Sequence, residues 1–336
     1  MCYQFWAAIM FLPPLAAPRR LTSPPVSHRV LIAAELKNLL EPTQLADFDV
    51  TWIAASDPTP KGEWVAIVPL LSRWVGGTEF KNLPRLRIVA NCAVGYNNVD
   101  LVAAEMRKVL VTNTPGVLTE ATADLTWALI LATARRLVEG VDLVRSGRWT
   151  GWHPEQLLGL ELRGRTLGLL GAGRIGQAVG RRAPPFGLRI LYAARTPKPE
   201  FERDTGARRV DTSELLAESD ILSVHVSSTP DTKGMINRET LARMKPGAIL
   251  INTSRGDVIR EEALAKSLEL GHLGAAGLDV YADEPQIHRR LRAAPRTVLL
   301  PHIGSATEET RRKMTAIAVA NVQAVLAGKP PLTPVY

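Results

Sequence analysis

A chain of 336 residues with 46% hydrophobic and 22% charged residues has the composition of a soluble globular protein of about two domains, with ample sequence for a core. Two cysteines, Cys2 and Cys92, are too few and too unpatterned for a disulfide framework or a zinc site, and they fit a reducing, cytoplasmic compartment. The excess of 41 Lys+Arg over 33 Asp+Glu gives +8, but the basic residues are scattered rather than gathered in a stripe, so anionic small molecules account for the charge as well as nucleic acid would.

Residues 1–28 stand apart: an apolar run at 3–10 is interrupted by Pro13 and Pro14 and followed by Arg19, Arg20, Pro24 and Pro25. A signal peptide carries positive charge ahead of its apolar run, and none is present here. The run is also too short to span a bilayer, so the segment is expected to be a disordered or mis-assigned extension.

From residue 29, β-branched runs at 29–33, 49–54, 64–69, 86–90 and 109–113 alternate with helical stretches, the rhythm of a parallel α/β domain. A long helix over 119–138 follows, its Leu, Ile, Ala and Trp residues covering more than one face. Such a helix is buried, either between domains or subunits or as a plain core helix. A second series of strands at 167–170, 189–193, 221–226, 248–252, 275–280 and 298–300 has helix-sized intervals and predicts a doubly wound nucleotide-binding sheet. The last helix, 307–327, and its tail belong to neither rhythm and are expected to return to the first domain.

The strongest local signal is Gly171-Ala172-Gly173-Arg174-Ile175-Gly176, which lies between an apolar strand and a helical stretch as dinucleotide binding requires. Gly171 permits the turn, Gly173 lets backbone approach a pyrophosphate, and Gly176 allows close helix–strand packing. The next strand ends in Ala194-Arg195-Thr196. Where an Asp or Glu would accept from the adenosine ribose, this chain offers a cation and a hydroxyl, which favours NADP over NAD. A solvated surface arginine is the plainer reading. Arg255, Glu284 and His302 each follow a predicted strand of the same sheet, at the rim where open α/β folds bind ligands. Taken singly, they also read as a salt bridge, a loop acid before Pro285 and a satisfied polar histidine.

Together with Asn252-Thr253-Ser254-Arg255-Gly256, Gly277-Leu278-Asp279-Val280, Asp283-Glu284-Pro285 and Pro301-His302-Ile303-Gly304, the glycine motif resembles the D-2-hydroxyacid dehydrogenase family, above all its glyoxylate/hydroxypyruvate reductases. The likeness runs from about residue 30 to the C-terminus. It implies two Rossmann-like doubly wound α/β domains with the active site in the cleft between them. One is a flavodoxin-like, discontinuous substrate domain (29–114 and 310–336), and the other is the NAD(P)-binding domain (115–309). It also implies that Arg255 binds the substrate carboxylate and carbonyl, that His302 is the acid/base and that Glu284 orients it. Asp279 and Gly304 would lie by the nicotinamide, and Thr253 and Ser254 would line the cofactor cleft. The backbone of Val94 and Gly95 would donate to the substrate carboxylate. Leu71 and Trp152 are pocket candidates, with Trp152 reaching a partner subunit or, for both, core packing as the alternative.

The implied function is NADPH-preferring reduction of small 2-oxo acids, with NAD(H) also possible, by a homodimer without metal, nucleic-acid or membrane partners. Phosphoglycerate or phosphite dehydrogenases share the Arg, Glu and His set, and a dinucleotide-sensing corepressor shares the fold. The segments at 194–196 and 149–152 and the lack of long disordered flanks favour the reductase. Two departures stand out. Ser227 occupies a position where the family usually has proline, and Pro184-Pro185 should stop the first cofactor helix near Ala183 or kink it.

Overall fold

The computed structural model describes residues 27–336, so the expectation for the N-terminal extension lies outside the described residues except at its end, where His28 already opens a strand. Five parallel strands, β1 (His28–Ala33), β2 (Phe48–Ile53), β3 (Ala66–Val68), β4 (Ile88–Ala90) and β5 (Leu110–Thr112), pair in the flavodoxin-like order β2-β1-β3-β4-β5. Val30, Ile32, Ala66, Val68, Ile88 and Ala90 pack with Met314, Ala318, Val322 and Val325 of the C-terminal helix Glu308–Leu326. The alternate residues Leu31, Ile67, Val89 and Val111 face a second cluster around Phe80. Burial on both faces is why these strands read as continuous apolar runs rather than as alternation.

The second sheet holds β6 (Thr166–Leu170), β7 (Arg189–Ala193), β8 (Arg208–Arg209), β9 (Ile221–Val224), β10 (Ile249–Asn252), β11 (Ala275–Leu278) and β12 (Thr297–Leu299), in the order β12-β11-β10-β9-β6-β7-β8. All are parallel, and the strand order reverses between β6 and β9, which opens a crevice beyond their carboxyl ends. Seven strands stand where six were expected, because β8 is two exposed arginines at the sheet edge, without apolar alternation.

The helix expected over 119–138 ends at Ala134. Arg136 takes a left-handed φ of 53°, and a separate helix, Leu137–Arg145, follows. Thr119–Ala134 is a core helix of the second sheet, its Ala123, Trp127 and Ile130 packed with Leu167, Ile190, Ile251 and Val298. It approaches so closely that a Cβ at Gly277 would meet Thr133 Oγ1 at 2.8 Å. The prolines act as expected: the helix Arg174–Arg181 stops, and the 3-10 turn Pro184–Phe186 with Gly187 at φ 70° leads into β7. No helix among the described residues is long and apolar enough to cross a membrane.

Candidate active site

The turn after β6 has the features its glycines imply. Gly171 has φ 99°, and a Cβ there would meet the His225 carbonyl oxygen at 2.7 Å; at Gly176 a Cβ would overlap the Gly171 carbonyl oxygen. At Gly173, the N-cap of Arg174–Arg181, a Cβ would meet no atom within 4 Å. This glycine faces open space, which fits the close approach of a phosphate to the helix N-terminus. Arg174 is exposed at the first helical position, and the half-buried Ile175 packs against both the first and the second domain's cores. Ala194 is half-buried beyond β7, while Arg195 and Thr196 are exposed. Thr253 and Ser254, beyond β10, have committed hydroxyls: Thr253 shares a hydrogen bond with Thr126 at 2.8 Å, and Ser254 donates to Asn252 Oδ1 at 2.8 Å.

Asn252 organises the turn that carries Arg255. Its Nδ2 donates to the Arg255 carbonyl at 2.9 Å while its Oδ1 accepts from the Ser254 amide at 3.0 Å. Arg255 then reaches across to the first domain, with Nη1 donating to the Ser254 carbonyl at 2.6 Å and Nε to Asn97 Oδ1 at 3.4 Å. Its Nη2 lies against Gly95 so tightly that a Cβ there would collide with it. Burial lowers the pKa of the guanidinium, opposed by the charges of Glu284 and Asp257, and the group stays cationic at neutral pH.

Opposite the guanidinium, Asn113 Nδ2 donates to the Val94 carbonyl and Asn91 Nδ2 to the Gly95 carbonyl, both at 2.8 Å. Among the described residues the Val94 and Gly95 amides have no acceptor. Two free N–H groups beside a cation form an anion cradle. Sequence reasoning named these amides but missed Asn91 and Asn113, which pin the carbonyls of the same turn; the signal was polar residues at the ends of otherwise apolar strands.

His302 Nδ1 and Glu284 Oε2 are 2.7 Å apart, with a third of each side chain exposed. The other oxygen of Glu284 accepts from the Tyr281 amide at 3.0 Å. Burial pushes the Glu284 carboxyl upward, but the hydrogen bond and charge of His302, the Tyr281 amide and the charge of Arg255 outweigh it and hold the carboxyl below its usual range. His302 has φ 56°, a left-handed conformation costly for a residue with a side chain. Asp279 holds it there: its two oxygens accept from the Ile303 and Gly304 amides, each at 2.7 Å. Asp279 itself is 1% exposed. His225, the other imidazole at this rim, is driven to about 4 by burial and bonds Ser223.

Leu71 lies half-buried in the turn after β3. Trp152 is 83% exposed and so lines nothing within its own chain, which removes core packing as an explanation for it. Ser227 uses its backbone carbonyl to accept from Thr232 Oγ1 at 2.6 Å.

Residues 127–304 match the family model described as D-isomer specific 2-hydroxyacid dehydrogenase, NAD binding domain. The glyoxylate reductase of Thermococcus litoralis is 50% identical over 270 residues, 79% of this chain and 82% of that protein. Among solved structures, a Thermus thermophilus protein superposes with a TM-score of 0.85 at 45% identity, covering 92% of this chain and 100% of that one. The NADPH-dependent glyoxylate/hydroxypyruvate reductase of Sinorhizobium meliloti, in complex with NADP and malonate, superposes with a TM-score of 0.80 at 35% identity, over 92% and 96% of the respective chains.

Proposed function

This chain belongs to the D-2-hydroxyacid dehydrogenase family of NAD(P)-dependent oxidoreductases, and we propose that it reduces glyoxylate and hydroxypyruvate, preferring NADPH. The observation that carries this reading is the convergence of Arg255, the free Val94 and Gly95 amides and the His302–Glu284 pair at one rim. The Arg255 fork and the two amides would hold the carboxylate of a small 2-oxo acid. Ionised Glu284 accepts from His302 Nδ1, so Nε2 is the nitrogen that gives a proton to the substrate carbonyl oxygen. A bound nicotinamide would supply the hydride. Arg255 also stabilises charge developing on that oxygen. Steady-state rates on glyoxylate, hydroxypyruvate, pyruvate and phosphohydroxypyruvate test the substrate class, and a preference for phosphohydroxypyruvate would overturn it.

Cofactor preference follows from the absence of a carboxylate at Ala194 and the cation at Arg195. A charge-assisted contact to a 2′-phosphate is worth about 1.5 to 3 kcal/mol, or roughly ten- to hundredfold in kcat/KM for NADPH over NADH. The double change Ala194→Asp with Arg195→Ala should reverse the order. Equal values for the two cofactors in the parent protein would sink this assignment.

The same geometry makes Gly95 a site of large sensitivity. Gly95→Ala should displace the guanidinium and raise KM for glyoxylate at least about tenfold, since the two cannot occupy one space. An unchanged KM would show that Arg255 does not need that position.

Association as a homodimer completes the reading. The helix Leu137–Arg145 buries no residue, and its Leu137, Val138, Val141 and Val144 share one face by their spacing and are exposed, as are Trp149 and Trp152 nearby. These exposed residues support an interface at that helix rather than at Thr119–Ala134, which is occupied inside its own domain. A monomeric mass at micromolar concentration would count against it.

A further inference from the structure

The turn after β7 is anchored by a residue from the neighbouring edge strand. Arg209 in β8 donates through Nε to the Ala194 carbonyl and through Nη2 to the Arg195 carbonyl, each at 3.1 Å. In a trans peptide the carbonyl and the following amide point in opposite directions. The Arg195 and Thr196 N–H groups are therefore turned away from Arg209, and among the described residues neither has an acceptor. Lys198 Nζ donates to Thr196 Oγ1 at 2.9 Å, which sets another cation beside the hydroxyl. Neighbouring arginines are neutralised, Arg208 by Glu214 and Arg203 by Asp204. Among the described residues Arg195, Lys198 and Arg209 have no carboxylate partner. Two outward amides, a hydroxyl and uncompensated cations suit a phosphate dianion far better than an uncharged ribose hydroxyl.

We propose that Arg209 is the positioning residue of a 2′-phosphate subsite: by gripping two carbonyls it presents the Arg195 and Thr196 amides to the phosphate. The proposal rests on the reading that the enzyme prefers NADPH. Its test is affinity without turnover, by calorimetric titration of the parent, Arg209→Met and Arg209→Lys with 2′,5′-ADP and with 5′-AMP. The parent should bind 2′,5′-ADP at least about tenfold more tightly than 5′-AMP. Arg209→Met should lose most of that preference while its 5′-AMP affinity stays within about twofold of the parent. Arg209→Lys keeps the charge but not the two-pronged grip, so it should resemble the methionine variant. A parent with no preference between the ligands defeats the NADPH reading itself. A parent preference that survives in Arg209→Met, or is restored in Arg209→Lys, leaves that reading standing and overturns the positioning role. Loss of both ligands together overturns it too, because Arg209 would then hold the whole adenosine pocket.

Discussion

Exchange of Arg255 for lysine should lower kcat/KM for glyoxylate by at least about tenfold, although the charge is kept. The guanidinium is planar and directed: Nη1 is held by the Ser254 carbonyl, Nε faces Asn97, and Nη2 is pressed against Gly95 beside two free amides. An ammonium on a flexible stem satisfies one of these directions at a time. Arg255→Gln removes the charge as well. With two charge-assisted hydrogen bonds of roughly 1.5 to 3 kcal/mol each at stake, its loss should reach about 10²- to 10⁴-fold. The ordering is the informative part, because a purely structural arginine would show its loss in thermal stability, with kcat/KM falling in parallel for both variants. Parent-like kinetics in Arg255→Lys would remove Arg255 from substrate binding.

What could be read in the sequence was whatever a local rule makes nearly obligatory. Gly171 and Gly176 were legible because any side chain at either position would strike backbone. The proline stop after Arg181 was legible because proline lacks the amide a helix needs. The break at Arg136 was not, since an arginine in the left-handed region carries no glycine or asparagine signal. Nor was β8, whose membership in the sheet depends on pairing with β7 rather than on its own pattern. Arg209 was invisible for a related reason: it acts through two carbonyls on another strand, and no spacing rule connects residues 194 and 209. The Arg255, Glu284 and His302 set was legible from its places after strands of one sheet, with the roles supplied by resemblance, but the loop strain at His302 and its support by Asp279 required coordinates.

The pH dependence of the reaction should separate the roles of His302 and Glu284. Reduction consumes a proton that His302 delivers, so its rate falls as rising pH removes that proton, while oxidation of the hydroxy acid needs the neutral ring and rises over the same range. Ionised Glu284, 2.7 Å from Nδ1, stabilises the protonated ring. Because the Glu284 carboxyl is held below its usual range, the pair is intact above the ordinary carboxylate range and is lost only as pH falls through that lowered value. Glu284→Gln keeps size and a hydrogen-bonding group but removes the anion, so the falling limb of reduction should move to lower pH, leaving the variant more active in acid than at neutral pH. His302→Gln has no proton to give. It should be slower at every pH by about 10²- to 10⁴-fold, the usual contribution of general acid–base catalysis, with no limb to shift. The measurement is kcat/KM against pH for the parent and both variants, in both directions, with glyoxylate and NADPH for reduction. A Glu284→Gln limb that stays in place or moves to higher pH would show that the carboxylate does not favour the protonated ring, and Glu284 would then be left with holding the Tyr281 amide alone.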